Sequence, residues 1–255
     1  MIKTQHSVEL GALVNMGCLG AAAGATDMAH LDGPAAAFNY IRIADLVESE
    51  CKSLGVSGPL LDWGCGYGQV SWLLKRRGLS VFSCDVEERP VRNSIEPLKD
   101  MDIRYLQDPL RLPYESGTFG GVLSVGVLEH VGVENVEASL EEVRRVLRPG
   151  GLFFVFMLPN KFSWAEFIAD VRGVSVHPDK YTFRRASRLM GEHSLRVRRK
   201  WRRNVLPRNL TGLSHRIKMA YGRYYRQIEW MDSVLATFPP TSVFSGVVEL
   251  IAQKV

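Results

Sequence analysis

Three glycines at alternate positions, Gly64, Gly66 and Gly68, follow an acidic residue at the end of an apolar run. The run over residues 60–63 is typical of a buried strand, and residues 69–77 are compatible with a helix. A turn with three glycines lets a ligand lie against bare backbone, and the helix N-terminus behind it offers unpaired N–H groups. The stretch therefore predicts a binding site for a nucleotide-like cofactor.

The spacing of these glycines argues against a dinucleotide. The dinucleotide fingerprint is G-x-G-x-x-G, whereas this chain has Gln69 where the third glycine belongs. Asp62, two residues before the first glycine, is poorly placed for a diphosphate but well placed for an ammonium group. S-adenosylmethionine carries an ammonium group, a sulfonium cation and no phosphate, so it is the favoured cofactor. An ordinary tight turn is the alternative interpretation of a single glycine-rich loop.

Strands and helices alternate on both sides of the glycine loop, which predicts an α/β fold with a doubly wound parallel sheet. The predicted strands after the first are residues 79–84, 103–106, 121–125 and 152–158. The predicted helices in the same part of the chain are residues 38–54, 69–77, 90–98 and 133–147. Farther on we expect a helix at 182–192 capped by Thr182, a strand at 195–206, one long helix at 214–237 and a last strand at 243–252.

The 255 residues and 46% apolar content are typical of one globular domain, which we place at residues 38–255 after an N-terminal arm, residues 1–37. Residues 11–26 of the arm are uncharged, too short to span a bilayer and a poor signal peptide, so a mobile or partly helical segment is expected. Four cysteines without metal-binding spacing predict reduced thiols in a cytoplasmic protein.

With these elements in order, the chain resembles the class I S-adenosylmethionine-dependent methyltransferases. More narrowly it resembles the ubiquinone/menaquinone-biosynthesis type, known as methyltransferase type 11. Five blocks carry the resemblance in the family's order: residues 60–68, 83–85, 107–114, 124–131 and 141–151. The likeness is good over residues 38–158 and loose beyond them. It implies a Rossmann-like seven-stranded sheet whose last strand is antiparallel, with a basic helical insertion before that strand.

The resemblance also implies which residues bind the cofactor. Asp62 would order the loop and hold the methionine ammonium group, and Asp85 would accept hydrogen bonds from both ribose hydroxyls. Asp108 would accept a hydrogen bond from the adenine amine, although it could instead be a turn residue, as Asp85 could be a cap. The other implied cofactor residues are Gly64, Cys65, Gly66, Gly68, Val86, Pro109, Leu110 and Val125. The family often has Asp where this chain has Gly120, which would loosen one local hydrogen bond.

Methyl transfer is an in-line displacement, and an alcohol or phenol acceptor must also lose a proton. His177 is the first candidate general base and His130 the second, while a structural role stays open for each. Glu129 and His130 could form an acid/base pair or bind a metal ion, but a loop-ordering role is favoured and no metal site is predicted. Trp164 and Tyr181 could line the acceptor pocket or pack inside the insertion.

Residues 184–226 hold fourteen Lys and Arg and a single acid, Glu192. Three interpretations stay open: a solvated face, a surface for anionic lipid or a phosphate-, lipid- or sugar-linked acceptor, and an RNA-binding surface. The leading prediction is O-methylation of a small-molecule or lipid- or sugar-linked acceptor by a cytoplasmic enzyme, peripheral at the inner membrane surface if this segment binds lipid. The alternatives are an RNA methyltransferase and a non-catalytic protein that binds S-adenosylmethionine.

Overall fold

A computed structural model describes residues 2–25, 28, 30–208, 210 and 212–255 of the chain. Its centre is a seven-stranded sheet in the order β3-β2-β1-β4-β5-β7-β6, in which β7 runs antiparallel to both of its neighbours. The doubly wound sheet with an antiparallel last strand is therefore confirmed. The strands are β1 (Leu60–Trp63), β2 (Val81–Asp85), β3 (Arg104–Tyr105), β4 (Phe119–Val125), β5 (Leu147–Pro159), β6 (Leu195–Arg203) and β7 (Val247–Lys254).

Helices cover both faces of this sheet. The α-helices are α1 (Ile2–Ala22), α2 (Pro34–Ser53), α3 (Gln69–Arg76), α4 (Val136–Val146), α5 (Trp164–Val171), α6 (Phe183–Glu192), α7 (His215–Gly222), α8 (Tyr225–Thr237) and α9 (Pro239–Val243). Short 3₁₀ helices occupy Pro90–Ser94 and Val133–Asn135. The first of these replaces the longer helix predicted at 90–98, and the predicted cap at Thr182 accepts a hydrogen bond from the Arg185 N–H.

The two faces of the sheet bury two separate apolar cores. In β5, Leu152, Phe154 and Phe156 enter the core shared with α1, α2 and α3. Phe153 and Val155 point the other way, into the core shared with α4 and α6. Because successive side chains of a strand alternate between faces, a strand covered on both sides must be apolar at every position. This is the physical reason for the continuous apolar run from residue 152 to 158.

The N-terminal helix packs on the rest of the fold. Leu13 and Met16 of α1 are fully buried, and Glu9 forms a 2.7 Å ion pair with Arg77, just beyond α3, with both side chains almost completely buried. Thr26, at the end of the stretch expected to be mobile or partly helical, lies outside the described residues. The division of the chain at residue 37 stays a prediction. Within the described ranges, no helix is both long and apolar enough to cross a membrane.

The single helix predicted at 214–237 is wrong, because the chain breaks into α7 and α8. Gly222 ends α7 against α2, where an added Cβ would stand 2.4 Å from the Cδ atom of Pro34. The apolar stripe is also not continuously buried: Ile228 is buried, but Ile217, Tyr224 and Met231 are exposed. The break lets α7 pack on α2 and α8 pack on both α2 and β6, which one straight helix would not do.

Gly120, the departure from the family pattern, lies in β4 where a neighbouring loop comes very close. A Cβ atom there would stand 2.3 Å from the backbone oxygen of Ser57 and 2.9 Å from Val56. The loop therefore leaves no room for a side chain at this position, which explains why an Asp could not be placed here without a shift of the backbone.

We predict that Gly120→Ala destabilises the protein, because either the loop at Ser57 or the strand must move. Overpacking of this kind costs roughly 1–3 kcal/mol, which should lower the melting temperature by several degrees. Gly191→Ala is the matched control, since no atom lies within 4 Å of its added Cβ and alanine favours a helix. Calorimetric melting of both variants checks this; equal melting temperatures for Gly120→Ala and the wild type would contradict it.

Candidate functional site

The glycine loop joins β1 to α3 and is held by the end of β2. The N–H groups of Gly64 and Cys65 both donate to the Cys84 carbonyl, at 2.9 and 3.0 Å. All three loop glycines have positive φ, and Gly68 is the left-handed residue from which α3 starts. Such backbone conformations strongly favour glycine. The loop therefore presents backbone, with few side chains, at the carboxyl edge of the parallel strands.

Asp62 lies beneath this loop and is 1% exposed. Its Oδ2 atom accepts a 2.7 Å hydrogen bond from the Ser71 hydroxyl of α3, and Ser71 in turn accepts one from Ser83 of β2. Burial raises the pKa of Asp62 to about 7, although the hydrogen bonds from Ser71 oppose that rise. The carboxyl group thus ties the first two strands to the helix behind the loop.

Asp85, at the end of β2, accepts two backbone hydrogen bonds. Its Oδ2 atom accepts from the Gly66 N–H at 2.7 Å, and Oδ1 accepts from the Glu87 N–H at 3.0 Å. A carboxylate can accept about four hydrogen bonds, so acceptor capacity for two hydroxyl groups is left. Val86, the next residue, is 58% exposed. The predicted glycine-loop and ribose residues are therefore brought together.

The segment after β3 is linked to the same edge, because the Leu106 N–H donates to the Asp85 carbonyl at 2.8 Å. Asp108 is exposed, and its Oδ1 atom accepts a 2.9 Å hydrogen bond from the Leu110 N–H. This is the turn role that the sequence left open for Asp108. Pro109 is exposed and Leu110 is half-buried. Asp108 therefore shapes a turn, and a further role towards a ligand stays a prediction.

The end of β4 connects this region to a second cluster. Val125 is half-buried at the strand end beside β1, and a Cβ added to Gly64 would meet the Val127 side chain at 2.6 Å. Two residues later, Glu129 is 1% exposed and burial raises its pKa to about 7. The segment that begins at the end of β4 thus starts beside the glycine loop and ends at Glu129 and His130.

The two histidines proposed as separate base candidates lie side by side. The ring centroids of His130 and His177 are 5.6 Å apart, and each residue contributes an atom within 4.8 Å of a carboxyl oxygen of Glu129. The Nδ1 atom of His177 lies 2.8 Å from the Glu166 carboxylate of α5. This hydrogen bond raises the pKa of His177, whereas burial and the neighbouring His177 lower the pKa of His130.

Glu166 was missed by the sequence analysis. The signal that could have drawn attention to it is Ser163, whose hydroxyl accepts a hydrogen bond from the Glu166 N–H as the cap of α5. That capping pattern fixes where α5 begins and hence where Glu166 lies. It does not reveal that Glu166 meets His177 eleven residues later, because that pairing depends on the fold of the loop between them.

The structure assigns the two aromatic candidates to packing and hydrogen bonding within the insertion. Tyr181 is 1% exposed, lies in the core beside α4 and α6, and donates to the Leu128 carbonyl at 3.4 Å. The Trp164 indole N–H donates to the Val205 carbonyl at 2.9 Å. Packing is therefore observed for Tyr181, whereas Trp164 is half-buried and its place in an acceptor pocket stays a prediction.

A third group of residues, also missed by the sequence analysis, packs beside the glycine loop. Tyr40 of α2 is buried in the same apolar core as Cys65 and Tyr67 of the loop, and its hydroxyl oxygen lies 2.9 Å from a ring nitrogen of His30. Arg89, after β2, stacks over the Tyr67 ring of the loop at 5.0 Å. Residues that are far apart in the sequence thus pack around the loop.

Comparisons with known proteins show what the chain is similar to. Residues 61–155 match the family model described as a methyltransferase domain. The chain is similar to the ubiquinone biosynthesis O-methyltransferase of Rhizobium etli, with 32% identity over 130 residues, 46% of this chain and 52% of the relative. It is also similar to the demethylmenaquinone methyltransferase of Tropheryma whipplei, with 29% identity over 131 residues, 49% of this chain and 53% of the relative.

The chain therefore spans about half the length of the curated relatives it matches. A structural comparison extends further along the chain. The crystal structure of 1,6-didemethyltoxoflavin-N1-methyltransferase from Burkholderia thailandensis matches with a TM-score of 0.55 at 17% identity, and the match covers 85% of this chain and 78% of the other. At that identity the match shows a shared fold.

We predict that the wild type loses stability between pH 5 and pH 8 and that Asp62→Asn does not show this loss. The native carboxyl, with its pKa raised to about 7, holds its proton more tightly than the unfolded chain, whose value is near 3.8. The protonated carboxyl therefore contributes its full stabilisation below about pH 4, and this contribution is lost as the pH rises to about 7. The part that is lost above pH 5 amounts to roughly 2–3 kcal/mol in the free energy of unfolding. Asparagine keeps an oxygen for Ser71 but does not titrate.

Urea unfolding of the wild type and Asp62→Asn at several pH values measures this difference. Asp100→Asn, a change at an exposed carboxyl, is the control and should follow the wild type. Parallel pH profiles for Asp62→Asn and the wild type would show that Asp62 is not the titrating group.

Proposed function

We propose that this protein, which carries a class I S-adenosylmethionine-dependent methyltransferase domain of the ubiquinone and menaquinone type, transfers the cofactor's methyl group to a hydroxyl oxygen of a small-molecule acceptor. The matched family model, the relatives and the fold confirm the family resemblance seen in the sequence. One observation carries the proposal. Residues 125–130 lie against Gly64 at one end and present Glu129 and His130 at the other, so a donor site and an acceptor site share one edge of the sheet.

The residues at the donor site fit S-adenosylmethionine. The glycine loop offers close backbone approach, and Asp85 retains lone pairs for the two ribose hydroxyls after binding Gly66 and Glu87. Asp62, buried under the loop, would place negative charge below the methionine ammonium group and act through the loop that it orders. Cys65 and Gly68 complete the loop around the cofactor, and Val125 would offer its backbone carbonyl.

The chemistry required of the protein is alignment and removal of one proton. The acceptor oxygen forms a bond to the methyl carbon while the carbon–sulfur bond breaks, and the sulfur keeps the electron pair as a neutral thioether. Holding the reacting atoms in line can supply roughly 7–11 kcal/mol of the barrier reduction. The proton leaves the acceptor hydroxyl at the cluster of Glu129, His130 and His177, where His177 is held in orientation by Glu166.

The surface beside this cluster favours an acceptor with an apolar part. Residues 162–176, which directly precede His177, expose six apolar side chains: Phe162, Phe167, Ile168, Val171, Val174 and Val176. The names of the curated relatives, which refer to ubiquinone biosynthesis and demethylmenaquinone, support a quinone-like or other lipid-linked acceptor. A polar small molecule would gain little from so much exposed apolar surface.

The basic segment 184–226 fits internal pairing better than an RNA surface or a membrane surface. Arg203 and Arg208 both pair with Glu229 of α8, and Lys218 pairs with Asp32 at 2.8 Å. Acids outside the segment thus neutralise its most buried cations, so the local excess of Lys and Arg overstates the free positive charge. Nucleic acid and anionic lipid therefore have less support than a small-molecule acceptor.

We predict that Asp85→Asn weakens S-adenosylmethionine binding at least about tenfold, because the amide loses the charge and acceptor capacity that two ribose hydroxyls need. Asparagine still offers one oxygen to the Gly66 N–H, so the loop should remain in place. Isothermal titration calorimetry measures the affinity, with Glu88→Gln at an exposed neighbouring position as the control. Unchanged binding by Asp85→Asn would show that the ribose assignment is wrong.

Incubation with S-adenosylmethionine that carries a deuterated methyl group, followed by mass spectrometry of cell-extract fractions, tests the reaction. We expect label in small-molecule or lipid fractions with the wild type, and less label with Asp85→Asn when the cofactor concentration is kept below the dissociation constant of that variant. Label in RNA would instead favour an RNA methyltransferase. If the protein binds the cofactor but no fraction is labelled, the result would instead favour a non-catalytic cofactor-binding protein.

A further inference from the structure

A carboxylate and two imidazoles meet beside the proposed donor site. The possible ligand atoms of Glu129, His130 and His177 all lie within 4.8 Å of one another. Glu129 and His130 follow β4, whereas His177 comes from the loop after α5, so the fold brings together residues 47 positions apart. Two histidines and one carboxylate are a ligand set that proteins use for divalent transition metals.

Glu129 gives independent support for a cation site. The residue is 1% exposed, and its Oε2 atom has no hydrogen-bond partner among the described residues. A buried carboxylate oxygen without a partner is costly, and proteins resolve this by pairing it or by binding a metal ion. The imidazoles of His130 and His177 are the nearest candidates to share such an ion with it.

Glu166 occupies the position of a supporting residue. Its carboxylate lies 2.8 Å from the Nδ1 atom of His177, which leaves Nε2 as the nitrogen that can coordinate. Metal-binding histidines usually donate their second ring N–H to a carboxylate or carbonyl, because this fixes the tautomer and ring orientation. Lys180 lies 3.6 Å from the other Glu166 oxygen and holds this carboxylate from the far side.

We propose that Glu129, His130 and His177 bind one divalent transition-metal ion, such as Zn²⁺ or Mn²⁺, and that Glu166 positions His177 for it. Ligand atoms at about 2.0–2.2 Å from an ion lie roughly 3–3.5 Å from one another. The three side chains must therefore close inward on the ion. Three protein ligands leave coordination positions for an acceptor oxygen.

The role of the ion rests on the proposed function. A metal ion stabilises the deprotonated form of a bound hydroxyl, as it does for bound water. The acceptor hydroxyl would release its proton to solvent on binding, and the resulting oxygen would attack the methyl carbon as the carbon–sulfur bond breaks. His130 and His177 then act as ligands to the ion and not as general bases.

Metal binding can be tested without any substrate. Untagged protein stripped with a chelator is titrated with Zn²⁺ by calorimetry, and with Co²⁺ while its visible spectrum is followed. We expect one ion per chain, and at least about tenfold weaker binding for Glu129→Gln and His177→Gln. Glu166→Gln should weaken binding by about 10–100-fold through the loss of orientation. No binding at millimolar ion, or equal binding by all variants, overturns the site.

His193→Gln is the matched control. The Nδ1 atom of His193 lies 2.8 Å from Glu141, the same arrangement as His177 with Glu166, but no third ligand accompanies it in the part of the chain that the structure describes. This variant should bind the ions like the wild type. Circular dichroism checks folding, and if buried Glu129→Gln unfolds, the half-buried His177 variant decides.

Methyl transfer with and without chelator separates this inference from the proposed function. If the ion binds at these residues but no acceptor is methylated, the site stands and the proposed function fails. If transfer continues unchanged in the stripped protein, the role of the ion fails and the proposed function stands.

Discussion

The end of β2 holds the glycine loop, and the rest of the site depends on that attachment. The Cys84 carbonyl accepts from two successive loop N–H groups, and the Asp85 carboxylate accepts from a third, that of Gly66. These bonds are available only because β2 lies parallel to β1 and ends one residue beyond it. The same edge receives Leu106 from β3 and residues 125–130 from β4. The glycine loop and the predicted cofactor residues are therefore placed relative to one backbone anchor, whereas Glu166 and His177 come from α5 and the loop after it.

The features that depend on local sequence could be predicted. The apolar run at 60–63, the glycine loop and the start of the following helix need only strand periodicity and the backbone freedom of glycine. Central strands were recognisable because burial on both faces requires an apolar residue at every position, as in β5. The seven strands and the antiparallel last strand followed from the family resemblance, whereas the order of the strands came only from the structure.

The features that depend on distant contacts could not be predicted. The stretch 214–237 has a strong apolar period, but the helix ends at Gly222, where the backbone lies too close to Pro34 for a Cβ atom. The net charge of the basic segment 184–226 likewise left several interpretations open, because its ion pairs depend on residues far away in the sequence. Glu229, which lies outside that segment, pairs with both Arg203 and Arg208, so acids outside a charge-rich window determine how much of its charge is free.

The candidate bases on the proposed acceptor side could not be ranked one residue at a time. His130 and His177 were competing candidates in the sequence, because nothing in their neighbourhoods indicates that α5 and its loop fold back over the end of β4. Their rings are adjacent and His177 lowers the pKa of His130, so the two residues cannot be treated as independent candidates. The buried Glu129 extends this coupling to a third group. Such a cluster must be understood as one unit, in which a single cation would satisfy an unpaired carboxylate and both imidazoles together.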